Sequence, residues 1–125
     1  MLKKGFKKML AEANAVIETV SVHDALELYK DPNVVFVDIR ESEERQRGAI
    51  KDSIHAPRGF LEFMVDPESP MHNPALPAEK RFVLYCASGG RSALAAKTLV
   101  DMGFEGVTHI AGGFAAWSET DGPTE

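Results

Sequence analysis

The run Phe82-Val-Leu-Tyr-Cys-Ala-Ser-Gly-Gly-Arg-Ser-Ala-Leu-Ala-Ala-Lys97 constrains this chain more than any other stretch. Residues 82–85 are a short apolar run of the kind that forms a buried strand, and they deliver the only cysteine, Cys86, to its end. The small residues Ala87, Ser88, Gly89 and Gly90 follow. Beyond them Leu94, Ala95, Leu99 and Met102 recur at helical spacing, and Gly103 stands where a left-handed residue would end that helix. Strand, tight loop and helix in that order bring the unpaired N–H groups of a first helical turn toward the cysteine. Arg91 is expected to add a full positive charge at the rim. The pattern is an anion cradle with a sulfur nucleophile at its floor. A free thiol with a pKa near 8.5 is only about 3% ionised at neutral pH, and a depression of roughly two units makes the thiolate the majority form. A cysteine ending a core strand without such a loop would be an inert small hydrophobe; Gly89-Gly90-Arg91 and the helix behind them reverse that reading.

The remainder of the chain supplies a sheet for this loop to stand on. Short strands are predicted at 18–21, 34–37, 53–56, 82–85 and 107–110, with 34–37 and 82–85 apolar throughout, separated by helices at 22–29, 60–65 and after Gly113 and by a short, highly charged helix or turn at 41–47. Ser21 offers a cap to the first of these helices, with Asp24 in capping-box position. Strands alternating with helices predict an α/β fold: five strands in a mostly parallel central sheet with helices on both faces. Asp38 and Arg40 arrive at the end of the second strand, where open α/β sheets place their ligands. Residues 1–17 read as an amphipathic helix with Leu2, Phe6, Met9, Leu10, Ala13 and Ile17 on its packed side, an extension resting on a domain that spans 18–125. Prolines 67, 70, 74 and 77 make residues 66–79 a stiff loop, a candidate lid.

Composition narrows the function. With 125 residues, 44% of them apolar and 26% charged, the chain is long enough for one core without staples. A net charge of −5 and the lack of a basic stripe argue against nucleic-acid binding. A single cysteine excludes an internal disulfide and cannot build a zinc site, and no histidine pair has ligand spacing, so no metal is expected. Residues 1–17 carry four lysines but neither a signal peptide's apolar core nor a transit peptide's arginines, and no stable membrane insertion is expected. These features favour a cytoplasmic location. Arg58, just after the third strand, is a candidate for the cradle's entrance. Ser88 and Ser92 are candidate hydroxyl donors. His23 and His109 are expected to be structural or exposed, whereas His55 and His72 could touch a substrate.

Four blocks in order resemble the rhodanese superfamily of sulfurtransferases, as a single-domain member: Val37-Asp-Ile-Arg-Glu41, Gly48-Ala-Ile-Lys-Asp-Ser-Ile-His-Ala-Pro57, Cys86-Ala-Ser-Gly-Gly-Arg91, and Gly103-Phe104 leading to Gly112-Gly-Phe-Ala-Ala-Trp117. Ala49 stands where that family often has histidine, and residues 66–79 are longer than in minimal members. The resemblance implies that Cys86 takes sulfane sulfur from a small anionic donor such as thiosulfate, holds it as a persulfide, and passes it to cyanide or a thiol. A protein could serve as persulfide donor or acceptor, and no cofactor is required. Residues 87–92 would form the anion-binding loop, while Asp38 and Arg40 would prop it. Cysteine phosphatases of the related fold place five residues between cysteine and arginine. Here four lie between Cys86 and Arg91, which implies a tighter cradle suited to sulfur transfer. The alternatives are a persulfide carrier fed by a partner desulfurase and a redox-sensing domain.

Overall fold

The computed structural model describes residues 1–125. Five strands form one sheet in the order β1-β5-β4-β2-β3: β1 (Glu18–Val20), β2 (Val34–Asp38), β3 (Ile54–His55), β4 (Arg81–Tyr85) and β5 (Val107–Ile110). Every pairing is parallel. The helices are α1 (Phe6–Val16), α2 (Val22–Leu28), α3 (Ser42–Gln46), α4 (Leu61–Val65), α5 (Gly90–Asp101) and α6 (Gly113–Ser118), with a 3-10 turn at Arg58–Phe60 before α4.

Period-two alternation of the strands sorts their side chains into two cores. Val37, Phe82, Leu84, Cys86 and Val107 face one way, toward Leu61 and Val65 of α4 and Ala95, Ala96 and Leu99 of α5. Phe36, Val83, Tyr85 and Ile110 face the other way, toward Ala25 of α2 and Trp117 of α6. Strands covered on both faces need apolar residues at nearly every position, and the continuous runs at 34–37 and 82–85 reflect this. Trp117 is buried against Tyr29 and Phe36, ring centroids 5.6 Å away in each case, and its Nε1 donates to the Pro123 carbonyl.

The caps explain where the helices start and stop. Ser21 Oγ accepts from the Asp24 N–H at 3.1 Å and opens α2. At the far end of α5, the Phe104 N–H bonds the Leu99 carbonyl and the Gly103 N–H bonds that of Val100, the paired closure that a residue at φ +100° permits.

Two expectations change. The N-terminal helix begins only at Phe6 and packs on α5 through Ala13, while Leu2, Phe6 and Met9 are 81, 67 and 44% exposed. The contact with α5 takes only a narrow stripe of α1, so part of its apolar side is left over. The proline-rich segment 66–79 is no lid over the cysteine. Leu76 is fully buried in the core beside α4, the Asn73 N–H bonds the Met64 carbonyl, and Ala75 lies in a groove with Val34 and Val35 at the start of β2. Parallel β2 and β4 both start there, at the end of the sheet away from Cys86.

Candidate active site

Cys86 follows the last residue of β4, and α5 begins four residues later at Gly90. Gly89 takes φ +112° to make that turn, a conformation open to glycine and strained for a residue with a Cβ. The loop closes around the sulfur. The Gly89 N–H donates to Sγ at 3.1 Å, the Ser92 N–H at 3.4 Å, and Ser92 Oγ lies 3.5 Å away. Cys86 is only 1% exposed, so burial pushes its thiol pKa up. The Ser92 hydroxyl and the N–H groups of Ser92, Gly89 and Ser88 outweigh that penalty, and the pKa ends below the ordinary thiol value. The sulfur touches hydrocarbon on its sheet side, yet the neighbouring amides aim at it.

The back wall of the loop is α6. The Phe114 N–H donates to the Cys86 carbonyl at 2.8 Å and the Ala115 N–H to the Ala87 carbonyl at 3.1 Å. These bonds turn two loop carbonyls away from the sulfur, leaving the amides to face it. Gly113 makes the approach feasible: a Cβ there would stand 2.5 Å from the Cys86 carbonyl oxygen.

Asp38 and Arg40 form a buried unit beside the loop. Asp38 accepts from the Arg40 N–H, Nε and Nη2 at 3.0, 2.9 and 2.9 Å, and from Arg45 Nη1 at 3.1 Å. Burial alone would raise the Asp38 pKa; the bonds from Arg40 and Arg45 overcome it and hold the carboxyl below its usual value. The Arg40 guanidinium also lies 4.6 Å from the Phe114 ring centroid, so the pair braces the start of α6. Neither residue bonds the sulfur.

Arg91 differs from its expected role as a free charge at the rim. Its Nη1 and Nη2 both donate to Glu44 of α3 at 2.8 Å, an exposed two-pronged ion pair. Arg91 is thereby raised further above its already high pKa, first by Glu44 and secondarily by the Cys86 charge, and Glu44 is held down at about 2. The thiolate's main support is therefore amides and a hydroxyl. Glu44→Gln releases Arg91, and the anionic reagent iodoacetate should then gain on neutral iodoacetamide at Cys86 by about two- to fivefold, the rate equivalent of an exposed charge pair. An unchanged ratio of the two alkylation rates would show that Arg91 exerts no field there.

Arg58 is not brought to the loop by any of its bonds. It pairs with Glu62 at 2.8 Å and Thr98 Oγ1 at 3.1 Å, two turns down α5, in a groove shared with Lys4 and Met9. Ser88 is exposed and contributes its backbone N–H rather than a hydroxyl bond. His55 bonds the Arg40 carbonyl at 2.8 Å and serves the scaffold. The histidine that sequence reasoning undervalued is His109, which is 4% exposed with Nδ1 2.9 Å from Ser92 Oγ. A signal was present: β5 is apolar at 107 and 110, and a polar side chain inside a buried strand must find a partner.

The stretch that builds this sheet and loop matches a known family. A family model described as Rhodanese-like domain covers residues 21–120. The chain belongs to the rhodanese-like family. This rhodanese-like chain is 31% identical over 120 residues to Thiosulfate sulfurtransferase 16, chloroplastic, of Arabidopsis thaliana, covering 93% of this chain and 99% of that protein. It is 33% identical over 103 residues to the tRNA uridine(34) hydroxylase of Hamiltonella defensa, covering 81% of this chain but spanning only 28% of that protein. Among solved structures, a Rhodopseudomonas palustris protein of unknown function, described as "Possible Tyrosine Phosphatase", superposes with a TM-score of 0.94 at 50% identity, covering 100% of this chain and 97% of the other. No helix of this rhodanese-like chain is long and apolar enough to cross a membrane.

Proposed function

We propose that this protein is a sulfurtransferase in which Cys86 carries sulfane sulfur as a persulfide. The observation that carries the reading is the pair of loop amides aimed at Sγ, from Gly89 and Ser92. They stabilise a thiolate before the reaction and can stabilise the persulfide anion after it. With thiosulfate, the Cys86 thiolate attacks the outer sulfur. A new S–S bond forms, the old one breaks, and its electron pair leaves with sulfite. Cyanide or a thiolate then attacks the terminal sulfur, and the Cys86 thiolate departs. Total charge is conserved in each step, and neither needs a cofactor.

The phosphatase reading attached to the Rhodopseudomonas relative is less well supported. Only four residues separate Cys86 from Arg91, and that arginine is occupied by Glu44 rather than poised over an incoming phosphate. The same ion pair favours a second class of donor, a thiol persulfide, which needs less positive charge than the thiosulfate dianion.

Incubation with thiosulfate should increase the intact mass by one sulfur atom. Cyanide should reverse the gain, and Cys86→Ala should abolish it. A protein that gains no sulfur from thiosulfate, from a thiol persulfide or from a desulfurase would rule out the assignment. Efficient loading from a desulfurase with poor loading from thiosulfate would identify a carrier.

A further inference from the structure

We propose that His109 is a positioning residue for the Cys86 sulfur: bridging Thr19 and Ser92, it directs the single hydroxyl proton of Ser92 onto the thiolate. This rests on the reading of Cys86 as the nucleophile.

The groups form one line. Thr19 Oγ1 lies 3.0 Å from His109 Nε2, His109 Nδ1 lies 2.9 Å from Ser92 Oγ, and Ser92 Oγ lies 3.5 Å from Cys86 Sγ. Sheet register builds it. Thr19 of β1 and Leu84 of β4 are the direct partners of His109, and Cys86 lies two residues beyond Leu84 on the same face, under the first turn of α5. The ring is also held against the loop, its Cε1 4.0 Å from where a Cβ on Gly89 would stand.

Proton counting leaves two arrangements. A serine hydroxyl has one proton, and a neutral imidazole has one N–H. In the first arrangement, Thr19 donates to Nε2, Nδ1–H donates to Ser92, and the Ser92 proton is free for the sulfur. In the second, Nε2–H donates to Thr19, Ser92 donates to Nδ1, and the sulfur loses its hydroxyl donor. The Gly89 carbonyl at 3.3 Å competes for the Ser92 proton, but an anionic sulfur is the stronger acceptor. A protonated thiol can instead donate to Ser92 and favours the second arrangement. Ionisation of Cys86 thus reverses the line: one proton leaves to water, the negative charge stays on sulfur, and the imidazole proton moves from Nε2 to Nδ1. Burial lowers the His109 pKa, which keeps the ring neutral and the two arrangements exclusive.

Charged groups on the packed elements are already engaged. Glu18 of β1 pairs with Arg81 of β4, Arg91 of α5 with Glu44, and Lys97 with Asp101. Tyr85 of β4 bonds Ser53 and Ile50, and α6 carries no charged residue.

The test is ring nitrogen-15 spectroscopy of His109 through the ionisation of Cys86, with iodoacetamide alkylation rates followed over the same pH range. The spectrum should show Nε2 protonated below the Cys86 midpoint and Nδ1 protonated above it. The alkylation midpoint should rise by about one pH unit in Ser92→Ala, the scale of a lost hydrogen bond to a charged group. It should rise by less in His109→Leu, where the Gly89 carbonyl competes for the Ser92 proton, and the double variant should match Ser92→Ala, with partial recovery in His109→Asn, whose Nδ2–H stands near Nδ1. Thr19→Val, at the exposed sheet edge, should shift the midpoint in the same direction by less, and it keeps the test decisive if His109→Leu fails to fold. A ring protonated at Nε2 opposite an ionised Cys86, or an unmoved midpoint in Thr19→Val with the tautomer unaltered, would overturn the proposal. Neither readout involves sulfur transfer, so the thiosulfate mass experiment judges the function separately.

Discussion

Asp38→Asn is expected to lower the unfolding free energy by about 3–5 kcal/mol at pH 7, the scale of breaking a buried ion pair from one side. Asp38 is fully buried and Arg40 nearly so; without the carboxylate charge, Arg40 keeps its burial and loses its counter-ion. Replacing both partners, as in Asp38→Asn with Arg40→Met, should recover part of the loss, because the stranded charge is then gone. The effect has a defined pH window. The folded-state pKa of Asp38 is depressed, so its contribution is fully present above the unfolded carboxyl value near 3.8 and disappears as pH falls through the folded value. The stability gap between wild type and Asp38→Asn should therefore close only below about pH 4. Denaturant titrations at several pH values measure it, and a gap that is constant down to acid unfolding would refute the account. Alkylation of Cys86 should slow in the single variant as well, since Arg40 lies against the Phe114 ring at the start of α6.

Gly113→Ala is the second large effect. Gly113 has φ +56°, and an added Cβ would fall 2.5 Å from the Cys86 carbonyl oxygen and 2.8 Å from the Ala87 carbonyl carbon and oxygen. All three are backbone atoms and cannot rotate aside. Left-handed strain and overpacking together should cost about 2–4 kcal/mol. The means of relief decides the chemistry: α6 must retreat, and the bonds from Phe114 and Ala115 to the loop carbonyls lengthen. The loop then loses its back wall, and the pH midpoint for alkylation of Cys86 should rise along with the loss in stability. A variant that is destabilised but keeps the wild-type midpoint would show that the cradle holds its shape without α6.

The fold was largely legible because its signals are local. Apolar runs at 34–37 and 82–85 mark strands covered on both faces, and the observed strands extend them by one residue each. Ser21 and Gly103 mark helix ends through bonds that span three to five residues. The sulfur's amides were legible for the same reason, since Gly89 and Ser92 lie three and six residues from Cys86. Long-range partners were not. Glu44 sits 47 residues from the arginine it binds, and Thr19 is 90 residues from His109. Residues 66–79 read as a lid from their prolines, but proline content sets stiffness and not position; burial of Leu76 decides where the segment lies.

The chain's own order of residues determined the alternation of strands and helices, the cysteine at a strand's end and the ring of amides around its sulfur, because short-range hydrogen bonding and side-chain periodicity set all three. Only tertiary packing decided which charges and hydroxyls reach that ring: Arg91 is held by Glu44, and His109 stands behind Ser92. Their alignment depends on strand register and helix docking, which sum weak contacts over the whole core and leave no compact mark in the sequence.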